Sequence, residues 1–529
     1  MKVLVFIIFI AFSSVAQNTY NLIPLPKQVT PVTGQFILKK STSIGYTHAD
    51  FAPVAALLAQ HIQQASSFPI IAKTGNGSTI QFTQNNALGN EAYTLDVSAK
   101  KISIQAKTGK GAFYALQTLL QLMPAQIYAG TAIAAPIAIP NVNIQDEPRF
   151  SYRGLMLDVG RYFYSVESVK RFIDLMAVYK MNTFHWHLTE DQGWRIEIKK
   201  YPLLTSVSSV RKESMLGHYR DQKYDGKPHG GFYTQEQVKD IVAYATKKYI
   251  EVIPEIEMPG HSTAVLAAYP QFGANPDKIL QVKTKWGVAE DVLFPREETF
   301  TFLEDVLTEV MALFPGQYIH IGGDECPKVQ WKESRFCQDL IKKLGLKDEH
   351  ELQSYFIRRI DKFVTSKGKK LLGWDEILEG GLSPNAMVMS WRGTKGGVEA
   401  AKQNHDVVMS PNSYFYLDYY QADPKTEPIA IGGNLPLSKC YSFEPNLPEL
   451  SAEEAKHVVG IQANVWTEYI SNITYAEYMT YPRALALSEV SWSTKESKNY
   501  ADFKKRLTGH LPAMDAMKIN YSKAFLTQP

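Results

Sequence analysis

From residue 150 onward one pattern recurs eight times: a short, strongly apolar run, then a stretch whose apolar residues fall at helical spacing. The runs cover residues 153–158, 183–188, 251–256, 318–322, 370–374, 386–391, 406–410 and 459–465. The segments between them include 166–179, 235–248, 300–314, 351–366 and 397–403. In the first of these, Val169, Phe172, Ile173, Met176 and Ala177 mark out one apolar face. Eight strand–helix pairs in about 340 residues predict a closed (β/α)8 TIM barrel, an α/β fold. The competing architecture is an open doubly wound sheet, but no Gly-rich phosphate loop follows the first run.

Residues 18–147 read as a smaller α/β accessory domain. Its β-rich runs lie at 35–39, 79–83, 93–97 and 101–105, its helical spacing at 52–64 and 111–123, and it shows no cluster of catalytic residue types. The proline-bearing stretch 136–148 is expected to be the boundary. The barrel then takes 148–499, and 500–529 forms a final helix and tail packed on it. Residues 1–17 combine Lys2, an apolar run to Phe12 and the small residues Ser14, Val15 and Ala16, the pattern of a secretory signal peptide. Export to the periplasm or the medium is therefore expected, and no later run is long enough to span a membrane. Three cysteines make no disulfide framework; Cys326 and Cys337 are close enough in sequence to pair, and spacing alone leaves that open. A net charge of +3, from 56 Lys+Arg against 53 Asp+Glu, argues against a nucleic-acid partner.

A barrel of this kind carries its functional residues just after the C-terminal ends of its strands. Those ends read LDVGR to Arg161, HWHLTED to Asp191, PEIEMPGH to His261, GGDE to Glu325, GWDE to Glu376, SWRG, SPNSYFYLD to Asp418 and NVWTE to Glu468. The strongest unit is YIHIGGDE, in which two glycines allow close ligand approach before two adjacent carboxylates. Neighbouring side chains on an extended segment point apart, so Asp324 and Glu325 suit two different tasks in one pocket. Trp374, Trp391 and Trp466 follow at other strand ends, where indole faces can stack on the C–H faces of sugar rings. Arg161, Asp418 and Glu468 are candidates for binding hydroxyls. His185 and His187, two apart on one strand, put both rings on one face, a metal-ligand geometry; the alternative is a pair of packed histidines beneath the pocket.

These motifs, in this order and over the whole expected barrel, resemble the glycoside hydrolase family 20 β-N-acetylhexosaminidases. RGLMLDVGRYF, MNTFHWHLTEDQGWRIEIKKYP, PEIEMPGH, HIGGDE, GWDE, SWRG and QANVWTE carry the resemblance. It implies a retaining, exo-acting enzyme in which the substrate's own acetamido oxygen attacks the anomeric carbon, forming an oxazolinium intermediate. It assigns Glu325 as general acid and base, and Asp324 as the partner of the acetamido N–H. Tyr416 would bind the acetamido oxygen, Trp374, Trp391 and Trp466 would wall its pocket, and Arg161, Asp418 and Glu468 would hold the terminal sugar. Asp191 and His261 would form a chain reaching Glu325. A crowded carboxylate pocket is expected to raise the pKa of the general acid. The resemblance implies no metal or organic cofactor and a carbohydrate carrying terminal β-linked N-acetylhexosamine as the partner. Two other readings compete: a carbohydrate-binding barrel without a working acid, and a metal-dependent hydrolase built on His185 and His187.

Overall fold

A computed structural model describes residues 20–528, so the stretch read as a signal peptide lies outside the described residues. The N-terminal unit is a seven-stranded mixed sheet. In chain order it comprises β1 (Gln28–Ile37), β2 (Ile44–Tyr46), α1 (Ala52–Ser66), β3 (Ala72–Thr74), β4 (Ile80–Gln84), β5 (Tyr93–Val97), β6 (Ile102–Ala106), α2 (Gly109–Leu122) and β7 (Ala138–Asp146). The strands lie in the order β1-β7-β5-β6-β4-β2-β3. In β5 and β6 every second residue is buried, the period of a strand with one face on a core.

The stretch expected to be a boundary is part of this sheet. β7 lies between β1 and β5 and pairs antiparallel with both. Pro140 is accommodated because it faces Gln35 where the register of β1 shifts, a place where a missing N–H costs little. β1 also starts earlier than expected, since its first residues are mostly exposed and show no apolar pattern.

The second unit is a closed barrel of eight parallel strands: β8 (Tyr152–Asp158), β9 (Thr183–His187), β10 (Glu251–Glu255), β11 (Tyr318–His320), β12 (Lys370–Trp374), β13 (Met387–Ser390), β14 (Val407–Met409) and β15 (Val458–Val465). Nearly every strand residue is buried, because helices cover the outside and side chains fill the inside; such strands read as continuous apolar runs. The helices around it include α3 (Val166–Val178), α4 (Gln235–Thr246), α5 (Glu297–Leu313), α6 (Glu349–Ser366), α7 (Lys395–Lys402), α8 (Ile473–Thr480) and α9 (Arg483–Trp492). Their starts are set locally: Ser165 caps α3, a Thr234–Gln237 capping box opens α4, and Asp348 caps α6. The last helix, α10 (Tyr500–Ala516), touches both units. Arg506 pairs with Glu489 of α9 at 2.6 Å and donates to the Leu22 carbonyl at 2.7 Å. Among the described residues no helix is long and apolar enough to cross a membrane. Cys326, Cys337 and Cys440 are buried and free, the first two within one small apolar cluster around Trp331.

Buried charge fixes the first unit against the start of the barrel. Asp146 accepts from Lys180 at 3.0 Å, from the Tyr93 hydroxyl at 2.6 Å and from the Trp492 indole at 2.9 Å. Arg153 binds Glu91 at 2.7 Å and lies over the Trp492 ring. Removing one partner of a buried pair strands the other charge, which costs about 3–5 kcal/mol. Asp146→Ala is therefore expected to lower unfolding free energy by about that amount in urea titrations, and the Asp146→Ala/Lys180→Met pair to recover part of it.

Candidate active site

The C-terminal ends of the barrel strands surround a cavity of about 460 Å³, within the size range of small-ligand sites. Arg161, His261, Asp324, Glu325, Trp374, Trp391, Tyr416, Asp418, Trp466 and Glu468 all line it. The chain reaches it through a tight turn after β11. Gly322 and Gly323 sit at φ +65° and +90°, and a Cβ on Gly322 would stand 1.8 Å from a Glu257 carboxylate oxygen. Glu325 and His261 themselves hold left-handed backbone, at φ +44° and +48°. Non-glycine residues in that region carry strain that clusters at functional sites. The GGDE segment is thus a left-handed turn rather than the extended one assumed above.

His261 joins the two adjacent carboxylates: its Nε2 is 3.5 Å from Asp324 Oδ2 and 3.6 Å from Glu325 Oε2. The two differ sharply in exposure, 12% for the Asp324 side chain and 42% for that of Glu325. On its other side His261 Nδ1 is 2.8 Å from Glu190 Oε1 but 3.8 Å from Asp191 Oδ2. Glu190, not Asp191, is therefore the direct partner of the imidazole. Asp191 is fully buried and does not line the cavity; its Oδ1 accepts from the Thr263 amide at 2.8 Å, so it holds the backbone behind His261.

The ionisation pattern follows from these contacts. Burial pushes the Asp324 carboxyl up to about 6, with Glu255, Glu325 and Glu190 adding to it against His261. Burial alone would lower His261, but Glu190 and Asp324 outweigh it and hold the imidazolium well above its ordinary range. Contact with His261 holds Glu325 below the usual carboxylate range. The expected upward shift of Glu325 is thereby reversed, because this side chain is half in solvent and beside a cation. Burial, then Asp324 and Glu255, push Glu257 well above the usual carboxylate range. Oxygens of Glu255, Glu257 and Asp324 lie within 4.8 Å of one another.

Three indoles and one phenol form the wall. Trp374 and Trp466 stand 5.7 Å apart, and Trp391 stacks on Tyr416 at 5.9 Å with their planes 11° apart. Two are anchored by their indole N–H: Trp374 Nε1 donates to Glu255 at 2.8 Å, and Trp391 Nε1 to Glu376 at 2.9 Å. Arg161 is held by Asp158 at 3.3 Å, Glu190 at 3.0 Å and Glu468 at 3.7 Å, and lies over the Trp466 ring. Arg161 Nε, Asp324 Oδ1, Asp418 Oδ1 and Glu468 Oε2 are buried without a hydrogen-bond partner in the protein. Buried polar atoms of this kind are expensive unless something pairs with them.

The H-x-H pair shares a carboxylate: His185 Nε2 and His187 Nε2 lie 2.9 Å and 3.7 Å from the same Glu255 oxygen. His185 Nε2 lies 2.9 Å from Glu255, beside His320, whereas His187 Nε2 lies 3.2 Å from Glu257. Both rings are buried among carboxylates below the pocket, Glu255 common to the two and Glu257 facing His187 alone. Sequence reasoning missed Glu190, Glu257 and Glu376, although all three stand in quoted strand-end motifs; each neighbours a carboxylate or strand residue that drew the attention. Tyr219, Trp286, Val288, Ile431 and Tyr469 also line the cavity from loops without periodicity; the sequence singles out the loops 206–232 and 274–296 for subsites beyond the terminal sugar but not these side chains.

The profile of the catalytic domain of glycosyl hydrolase family 20 matches residues 150–495, and that of the family's domain 2 matches residues 19–147. The chain belongs to glycosyl hydrolase family 20. Within the family, a beta-hexosaminidase of Porphyromonas gingivalis is 48% identical over 516 residues, 96% of this chain and 65% of that protein. The chain thus spans slightly less than two thirds of that relative's length. A beta-hexosaminidase of Vibrio furnissii is 37% identical, covering 90% of this chain and 77% of its own. Among solved structures, the GH20 exo beta-N-acetylglucosaminidase of Vibrio harveyi in complex with N-acetylglucosamine superposes with a TM-score of 0.85 at 35% identity, over 96% of this chain and 78% of that one.

Proposed function

We propose that this family 20 protein is an exo-acting, configuration-retaining β-N-acetylhexosaminidase. It releases terminal β-linked GlcNAc or GalNAc from chito-oligosaccharides or glycoconjugates. The acetamido carbonyl oxygen of the substrate attacks C1 as the glycosidic C–O bond breaks. Glu325 gives its proton to the leaving oxygen, and the sugar becomes a cyclic oxazolinium ion. Asp324 accepts a hydrogen bond from the acetamido N–H and balances the positive charge, while the Tyr416 hydroxyl donates to the acetamido oxygen. Glu325, now a carboxylate, takes a proton from water; the hydroxide equivalent opens the ring at C1 from the same face that the aglycone left. The configuration is retained and the acetamido group restored.

One observation carries the proposal: the buried Asp324 and half-exposed Glu325 are consecutive and share His261, at the floor of a tryptophan-walled pocket. A protein nucleophile and its acid must act from opposite faces of the bond; two carboxylates on one imidazole leave the nucleophile's place to the substrate. The test is a panel of nitrophenyl β-GlcNAc, nitrophenyl β-GalNAc and chitobiose, with NMR of the first-formed sugar. Release of single β-anomers is expected; α-anomer first, or no turnover of any N-acetylated substrate, overturns the proposal. We also infer export, on residues 1–17, for which N-terminal sequencing of the mature protein is the check.

A further inference from the structure

A second cavity lies at the opposite end of the barrel, and the reaction above does not use it. It holds about 340 Å³ and is lined by the first residues of four strands: Tyr152 of β8, Thr183 of β9, Glu251 of β10 and Tyr318 of β11. Asp406, just before β14, and Tyr249, close before β10, add to the lining, and Lys110 of α2 reaches it from the first unit. Met156, Leu372, Met389 and Val408 pack in one buried cluster with Tyr152 at this end and Trp374 at the other. The barrel is thus filled between this cavity and the active site.

Most polar groups of the lining are already spent. Asn182 donates to the Ser151 carbonyl at 2.7 Å and accepts from the Arg153 amide at 3.0 Å, and the Thr183 hydroxyl donates to Asn182 at 3.1 Å. The Tyr152 hydroxyl donates inward to Gln462 at 2.6 Å, and Lys110 is held by Glu91 at 2.6 Å. Two carboxylates remain. Glu251 accepts from the Gln317 amide at 2.9 Å, and Asp406 faces His457 at 3.3 Å. Among the described residues no lysine or arginine forms a salt bridge with either. The Lys369 ammonium feels the Glu251 charge but is spent on the Phe314 and Gly316 carbonyls, at 2.9 and 2.6 Å. Both carboxylates act on the Tyr318 phenol, whose pKa is raised by burial and then by Asp406 and Glu251. The strand order of the closed barrel sets β10 and β14 four places apart in a ring of eight, so the two acids enter the cavity from opposite sides.

We propose that this cavity binds a small organic ammonium ion, with a diamine the best fit. An ammonium group has three donors and no acceptor, which matches a lining whose open positions are carboxylate oxygens. The faces of Tyr152, Tyr249 and Tyr318 add attraction for a cation. A sugar or polyol needs donors as well as acceptors, and here the donors are taken. A divalent ion needs several oxygens on one centre, whereas Glu251 and Asp406 join none of the groups whose ligand atoms lie within 4.8 Å of one another. Two acids across one cavity suit two charges joined by a short apolar chain, and the buried Ile253 and Met387 give that chain an apolar lining.

The test is calorimetric titration of the purified protein with 1,4-diaminobutane, with butane-1,4-diol as the uncharged control. One-site binding of the diamine and none of the diol is expected. Glu251→Gln keeps an acceptor for the Gln317 amide, and Asp406→Asn keeps a polar contact for His457. The double variant is expected to bind the diamine about tenfold more weakly, with an unchanged melting temperature. Tyr318→Leu, which removes one ring and leaves both charges, is expected to weaken binding about threefold. Asp324→Asn/Glu325→Gln, at the other end of the barrel, is expected to keep the parent's affinity for the diamine. No saturable binding, equal binding of the diol, parental affinity in the Glu251 and Asp406 double variant or in Tyr318→Leu, or a loss in the Asp324 and Glu325 double variant overturns the proposal.

Discussion

Glu325→Gln is expected to lower kcat on chitobiose by about 10²–10⁴-fold, the range that a positioned general acid–base supplies. Glutamine keeps the size and the polar contact with His261 but has no proton to give and no charge with which to take one. The two steps should respond differently. A sugar leaving group departs as a poor alkoxide, so glycosidic cleavage depends on the acid. An activated aryl leaving group departs unprotonated, so its first step survives while attack of water on the oxazolinium does not. Stopped-flow measurement with a dinitrophenyl glycoside is therefore expected to show a burst of phenolate followed by slow turnover. Near-parental steady-state rates on chitobiose would remove Glu325 from the role. In the resting protein His261 carries the proton and Glu325 is held low by it, so the acid is primed by the pair rather than by the carboxyl alone. The 3.6 Å separation from His261 Nε2 to Glu325 Oε2 leaves the carboxyl free to turn toward substrate.

How much of this was readable before any coordinates follows from what kind of interaction sets each feature. The barrel strands were legible because burial on both faces writes them as unbroken apolar runs; β12 at Lys370–Trp374 matches to the residue. β11 ends two residues sooner than its apolar pattern, because Gly322 turns left-handed against the Glu257 carboxylate. β7 reads as a boundary because Pro140 within it and Pro136 and Pro148 beside it look like breakers, and the register shift in β1 opposite Pro140 makes room for that residue. The floor of the site was legible because it consists of side chains at strand ends. The choice between Glu190 and Asp191 was not, since a short ribbon of residues 189–190 and 193–194 turns the chain there and aims the first acid at His261. Nor was the direction of the Glu325 shift, which depends on an imidazole supplied by the loop after another strand. The conformation of the loops 206–232 and 274–296 was illegible for a further reason: they are fixed by backbone hydrogen bonds and a cation over an indole, none of which leaves a periodic trace.

Asp324→Asn should cost about 10²–10³-fold in kcat/KM, the loss seen when a preorganised group facing developing charge is removed. It should also change two pH profiles in ways that a merely structural role would not. Asp324 must be ionised to balance the oxazolinium, and burial has raised its pKa from 3.8 to about 6. In the parent protein kcat/KM should therefore decline with a slope of one as pH drops below about 6, because this parameter reports the free enzyme. The asparagine variant, already neutral, should lose that limb. Stability moves the other way. Between pH 3.8 and about 6 the folded Asp324 holds its proton while the unfolded one has released it. The unfolded state thus binds fewer protons, and unfolding free energy falls as pH rises through that window. Above it the parent carries the full penalty of a buried charge that Asn does not have. Asp324→Asn should melt at a higher temperature than the parent at pH 7 and at the same temperature near pH 3.5, where both side chains are neutral. A variant that is slower, flat in its acid limb and more stable by a margin that grows between about pH 4 and 6 and is constant above it identifies Asp324 as a charge kept in the pocket for the reaction and against the interest of the fold. A parallel loss of melting temperature at every pH would instead make it a packing residue.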